Sequence, residues 1–458
     1  MPDASRPGRA PTEELPRFVS GSTMRHVAVM TATGSIGLVA VFAVDLLSLL
    51  YISWLGDPAL TAGVGLATIV NFFAISINVG LMIATGALVS RALGARERDR
   101  ARRLASSACV HMVLVGLAVT LAMLPLLTWV LGLLGASGET LAVARRFLSI
   151  TLPSNFLMAL GMGFSGILRA VGDARRAMYV TLTGGIVTAA LDPVLIFGFG
   201  LGVDGAAVAT IVSRTIFVFI GWRGAVGVHR LVARPRLEAV LRDAPPLFAI
   251  ALPAVLTNIA TPIAGGFVTS VIARFGDQAI AASAIVDRLV PVAFGGLFAL
   301  SGAIGPILGQ NWGAGRFDRM RLILRDGVVF TALYTGGVWA LLALLRHPLA
   351  GAFKLTGAGA ELLTFFCLIS GPMWFFIGLL FLANASFNNL GFPILSTVFN
   401  WGRATLGTMP LALVGAAYGP TGVLGAIGLG SILFGALALA TAFRTVGILE
   451  RRGAAVIR

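Results

Sequence analysis

Lysine is almost missing from this chain: Lys354 is the only one, so nearly all of its positive charge is arginine. Cysteine is scarce as well, with Cys109 and Cys367 both inside apolar runs. Two such isolated thiols exclude a disulfide framework and a CxxC metal site. The four histidines, His26, His111, His229 and His347, show no metal-ligand spacing, which removes the other common pattern for zinc. Charged residues are only 12% of the 458, against 57% hydrophobic, and the mean hydropathy is +0.93. That balance excludes an ordinary soluble domain and places the chain in lipid by many spans. The net charge of +15 would suit a nucleic-acid binder if the arginines shared one face. They cluster between apolar runs instead, so the expected surroundings are a lipid bilayer and no nucleic acid. Residues 1–25 are polar, rich in Pro and Arg, and lack the apolar stretch of a secretory signal. They read as a cytoplasmic tail.

Apolar runs of about 18 or more residues predict twelve spans. Six lie near 29–54, 60–90, 105–131, 142–168, 177–200 and 204–222, and six more near 247–273, 279–309, 327–346, 361–388, 394–417 and 421–446. The predicted organisation is an N-terminal tail (1–25), an N-lobe (26–222), a cytoplasmic linker (223–246), a C-lobe (247–447) and a C-terminal tail (448–458). Arginines concentrate in the tails, the linker and the loops at 91–103, 169–176 and 316–325, all on one side of such a topology. The turns near Gly56, Gly135, Gly202, Gly276, Lys354 and Gly419 on the other side hold few. Both termini are therefore expected in the cytoplasm, with the chain in the bacterial inner (plasma) membrane.

The halves repeat. GALVSRALGARERDRAR (86–102) aligns with GPILGQNWGAGRFDRMR (305–321) at a shift of 219, matching Gly94 with Gly313 and Asp99 with Asp318; the same shift pairs Pro153 with Pro372 and Gly172 with Gly391. Six spans return the chain to the side it started from, so the lobes run parallel about a pseudo-two-fold along the membrane normal. Two matched bundles around a cleft make a transporter plan.

Two acids stand inside apolar spans, Asp45 in the first and Asp192 in the fifth, and an ionisable group at bilayer depth is read as functional by default. Each lies nine or ten residues from the outer end of its helix, roughly 14 to 15 Å deep at 1.5 Å per residue, so they are expected level with each other. Thr181 and Thr188 share a helix face with Asp192. Two carboxyls in one apolar chamber would titrate as a coupled pair. The plain alternative is that each is permanently paired, for instance with Arg214, and only pins helices; the C-lobe argues against this, since Ala264 and Met409 stand near the equivalent positions. Asn71 and Asn78 on the second span, Asn155 and Ser165 on the fourth, and Asn258 and Asn384 in the C-lobe are candidate substrate contacts, although amides and hydroxyls also join helices to one another. Arg288 and Arg403 fall inside predicted spans and need partners.

LGARERDRARR, LGQNWGAGRFDRMR, RAVGDARRAMY (169–179) and LDPVLIFGFGLGVDGAAVAT (191–210) together resemble the multidrug and toxin extrusion (MATE) family over essentially the whole chain after residue 25. The resemblance implies an all-α membrane fold, a V-shaped pair of six-helix lobes, and a secondary antiporter exporting amphipathic, often cationic compounds against H+ or Na+. Within the family the pattern is similar to the DinF-like branch, whose ion site uses acids on the first and fifth helices. Asp45 and Asp192 match these, Thr210 matches a hydroxyl of the same site, and Thr188 stands where relatives often have Asn. No cofactor beyond the coupling ion is implied, and a monomer is expected. The nearest rival function is a flippase of lipid-linked sugars from the related exporter group, which would be expected to carry cationic cavity residues and often fourteen spans. An enzyme would need a nucleophile or metal cluster that the sequence does not offer.

Overall fold

The computed structural model describes residues 16–353 and 355–456; Lys354, and Arg6 and Arg9 of the expected tail, lie outside the described residues. Among these the secondary structure is helical throughout. In the first half the helices are α1 (Thr23–Ser53), α2 (Pro58–Gly94), α3 (Arg98–Leu133), α4 (Gly138–Thr151), α5 (Asn155–Val171), α6 (Ala174–Pro193) and α7 (Val203–Trp222). The second half has α8 (Leu237–Ile272), α9 (Asp277–Ala293), α10 (Gly295–Gly313), α11 (Phe317–Ala352), α12 (Gly357–Asn389), α13 (Pro393–Gly402), α14 (Met409–Ala416) and α15 (Gly419–Val456).

Ten helical stretches are long and apolar enough to cross a membrane, and α9 with α10, bent by 45° about Phe294, make up to an eleventh. Twelve were expected. The twelfth, at 394–417, is broken: α13 passes into π turns over Arg403–Thr408 before α14 begins, and neither piece reaches 18 residues. Pro410, near the start of α14, has no N–H to give to a continuous ladder, and Gly402 and Gly407 weaken the helix on either side of the break.

Three expected boundaries shift. The linker at 223–246 is irregular only over 229–236, because α7 continues as π turns through Val228 and α8 starts at Leu237. Pro245 and Pro246 look like the end of a loop, yet α8 runs through them; Ala239 and Val240 are buried there, and buried Asp243 accepts from the Ser107 hydroxyl at 2.8 Å. The C-terminal tail is helical as far as Val456. At the other end, residues 16–25 are no loose tail. Phe18 is 1% exposed; its N–H donates to Gln310 Oε1 at 2.9 Å, and its carbonyl accepts from Asn311 Nδ2 at 3.1 Å. With Val27 and Met30 it joins the core built around Leu300, Phe387 and Val446, so the first turns of α1 pack on the second half.

The repeat is visible in the backbone. Gly172 and Gly391, 219 apart, follow α5 and α12 with φ of 92° and 87°, the left-handed region that closes a helix and favours glycine. The halves meet where α2 runs along α8 and α10, and α1 along α10. Gly94 and Gly313 mark the tightest crossing. A Cβ on Gly94 would stand 2.1 Å from the Gln310 carbonyl oxygen, and one on Gly313 would stand 2.1 Å from that of Arg91, the residue equivalent to Gln310. The side chains of this equivalent pair then do the same job on opposite sides: Gln310 Nε2 donates to the Ala170 carbonyl and Arg91 Nε to that of Asn389, each at 2.7 Å. These symmetric contacts close the arginine-rich end of the cleft.

Candidate ion and substrate site

Asp192 ends α6 just before Pro193, where the helix passes into π turns over Val194–Gly198. Single π turns of this kind are frequent at functional positions, because they re-aim a side chain without ending the helix. The neighbour is α1, and the two helices pack through a regular ladder. Gly37 lies under Thr181, Ala40 and Val44 lie against Gly185, and the Ser48 hydroxyl donates to Asp192 Oδ2. Asp192 is 1% exposed, and its second oxygen, Oδ1, has no hydrogen-bond partner. A buried carboxylate oxygen without a donor is costly, which marks Asp192 as a candidate for binding a proton or a cation.

Asp45 stands three residues before Ser48, one turn further from the outer end of α1, about 4.5 Å along the axis. It is close enough to Asp192 to feel its charge. The residue level with Asp192 is therefore Ser48, and the two acids are offset by about one turn; the expectation of equal height did not allow for the side chain that bridges them. Asp45 is exposed, but away from the apolar exposed face of α1 made by Ile36, Leu46, Leu47 and Leu50. It borders the stripe of Gly37, Val44 and Ile52 that α1 buries. One acid is thus sealed between helices and the other is accessible.

Arg214 partners neither acid. Its guanidinium donates to the Thr151 carbonyl at 2.6 Å and to Ser154 Oγ at 2.8 Å, at the short 3-10 turn between α4 and α5. That removes the permanent pairing with Arg214. Thr188 and Thr210 are half-buried, and each hydroxyl donates one turn back in its own helix, to the Gly184 carbonyl at 3.1 Å and the Ala206 carbonyl at 3.0 Å. Their protons are committed and their lone pairs remain.

Three of the expected substrate contacts have their amides engaged within the bundle. Asn78 Nδ2 donates to Asn155 Oδ1 at 2.9 Å, joining α2 to α5, and Asn384 Oδ1 accepts from Asn400 Nδ2 at 2.9 Å, joining α12 to α13. Asn258 Nδ2 is spent on the Ala254 carbonyl at 2.8 Å. Asn71 is half-buried, and the Ser165 hydroxyl is buried without a partner. Arg403 reaches Thr261 Oγ1 at 3.5 Å with its Nε left without a bond, while Arg288 and Asp287 are both exposed. Ser48 was not anticipated. Its place at i+3 from Asp45 was the signal available.

Comparison with known proteins settles the family. The model of the MatE family matches residues 35–194 and 253–440, one segment in each half. This chain belongs to the MatE family. Curated relatives of this MatE protein include the FAD transporter of Shewanella oneidensis, 26% identical over 91% of this chain and 94% of the relative. Another is the multidrug export protein MepA of Staphylococcus aureus, 27% identical over 90% and 92% respectively. Among solved structures, a MATE transporter described in an outward-facing conformation superposes with a TM-score of 0.88 at 22% identity, covering 96% of this chain and 100% of that one. The Vibrio cholerae MATE transporter VcmN gives 0.87 at 24% identity, covering 94% and 97%. The fold is thus the all-α MATE architecture, and the MatE protein is a multi-pass membrane transporter and not an enzyme.

Proposed function

We propose that this MatE protein is an antiporter that exports amphipathic organic solutes, with H+ taken up at Asp45 and Asp192 as the driving ion. The observation that carries this reading is the Asp192 carboxylate, buried with one oxygen on Ser48 and the other without a donor. In the form sealed at the arginine-rich end, the accessible Asp45 would take a proton from outside and share it with Asp192. Neutralising the pair removes the repulsion between the two helices that carry them, so α1 and α6 can repack and the cleft can reopen inward. There the protons leave, and a membrane potential adds about 2.3 kcal/mol per charge per 100 mV when exchange moves net charge. Na+ would need oxygen ligands in place of a proton, and Ser48, which contacts Asp192, together with the expected hydroxyls of Thr188 and Thr210 would supply them. Relatives named for a flavin dinucleotide and for multidrug export support an amphipathic substrate class.

The test is uptake of a fluorescent amphiphile into inverted vesicles whose lumen is made acidic or sodium-rich in separate experiments. Wild type should respond to the proton gradient, and Asp45→Asn or Asp192→Asn should abolish that response with membrane expression unchanged. Full proton-driven uptake in both variants would overturn the assignment, and a response to sodium alone would replace the coupling ion.

A further inference from the structure

Near the sealed end the halves frame a cavity of about 40 Å³ between α2, α5, α10 and α12. Its lining follows the repeat at a shift of 219: Gly86 is matched by Gly305 and Gly166 by Ala385. Among the matched lining positions one pair changes charge: the first half has Arg169 where the second has Asn388. No Asp or Glu lines this space. Among the described residues the Arg169 guanidinium makes no hydrogen bond and no ion pair, although it reaches across to Gly302 of α10, where an added Cβ would lie 2.6 Å from Nη1. Nearby charges are already spent. Arg91 donates to the carbonyls of Asn388 and Asn389 and stacks over Trp312, and Asp173 is held by Arg176 and His229. Asn388 Oδ1 accepts from Ser396 Oγ at 3.2 Å, which leaves its amide hydrogens free to donate.

A guanidinium at the last turn of α5 gains a little from the helix dipole, but this does not use its five donors, which a planar oxyanion matches well. We infer that the space on the pseudo-two-fold axis is a binding subsite for an anionic group, a carboxylate or phosphate on the transported amphiphile, held by Arg169 with Asn388 as second donor. The inference rests on the cleft being the transport path and names a substrate class for it. The molecule then carries two subsites of opposite sign, acids in the first half and a cation on the axis. Solutes with both an apolar body and an acidic group would span them.

Equilibrium binding without any gradient separates this from proton coupling. The probes are flavin mononucleotide and riboflavin, which lacks only the phosphate, titrated onto the full chain in nanodiscs of phosphatidylcholine. Wild type should bind the phosphate form at least about tenfold more tightly, as expected for charge-assisted bonds. Arg169→Gln should bring the two affinities together by weakening only the phosphate form, and Arg169→Lys should keep part of the preference. Asn388→Asp, which places a carboxylate in the subsite and keeps the acceptor for Ser396, should also erase it. Equal or absent binding of the two flavins by wild type, an unchanged ratio in Arg169→Gln, or parallel loss of both flavins would overturn the subsite. Repeating the titration with phosphatidylglycerol in the nanodisc identifies the source of the anion: a preference that collapses there assigns the subsite to a lipid headgroup, and one that persists assigns it to the solute.

Discussion

The contact between Ser48 and Asp192 is what makes an acid in a helix interface a candidate site. A hydroxyl donating to a charged acceptor contributes about 1.5 to 3 kcal/mol, a factor of ten or more, so Ser48→Ala should cut proton-driven efflux by about tenfold. Thr188→Ala should change it by less than about threefold, since the Thr188 hydroxyl is spent on its own backbone and such bonds in membranes contribute roughly 0.6 kcal/mol. Equal effects in an efflux assay at matched expression would show that Ser48 has no special part. A second residue-scale prediction concerns Asp173, outside the spans, which caps α6 through the Arg176 N–H at 3.1 Å. Burial alone would push this carboxyl up, but bonds from His229 and Arg176 more than reverse that and hold it below the usual carboxylate range. A folded value below the unfolded one, about 3.9, adds stability that is present at neutral pH and fades as pH falls below about 4. Asp173→Asn keeps a capping oxygen but loses the charge that holds Arg176 and His229, so it should lower the melting temperature at pH 7 by a couple of degrees, as for a loss of about 1 kcal/mol. It should also flatten the acid limb of a plot of melting temperature against pH; an acid limb as steep as wild type would refute the stabilising charge at Asp173.

At the scale of elements, the cleft is sealed by a crossing that two glycines allow. Helices α2 and α10 approach at Gly94 and Gly313 until backbone meets backbone, and each added Cβ would fall 2.1 Å from a carbonyl oxygen that no side-chain rotation can move. Gly94→Ala should force the helices apart at that end. Spin labels on the ends of α2 and α10 should then report a longer and broader distance distribution than in wild type, and an unchanged distribution would mean the crossing is not what closes the cleft. Much of this level was legible in the sequence, because apolar length and the 219-residue shift are properties of the chain itself. Asp45 and Asp192 could be named for the same reason: a carboxyl in an apolar run stands out. The partners could not be read. Asn78 with Asn155 and Asn384 with Asn400 satisfy each other across helices, and only the packing tells an amide used for joining from one facing a substrate. The broken span after α13 was missed because hydropathy counts apolar residues and does not register π turns. Arg169 was read as part of a basic loop, whereas it ends inside a cavity.

For the whole molecule, the question is which side the seal faces. Arginines dominate the end where Phe18, Gln310, Arg91 and Asn389 meet, and a bias of that kind sets orientation during insertion, so we propose that this end lies in the cytoplasm. On that proposal the structure is closed inward, and the acids would be reached from outside, where a proton gradient would deliver its ions. Two exposed positions at opposite ends decide the matter: Arg234, between α7 and α8, and Glu139, in the first turn of α4. With Cys109 and Cys367 replaced by alanine, Arg234→Cys should react with a membrane-impermeant maleimide only in inverted vesicles. Glu139→Cys should react only in right-side-out ones. The opposite pattern would put the seal outside and the accessible acid in contact with the cytoplasm, and a proton entering from the cell interior could not power export.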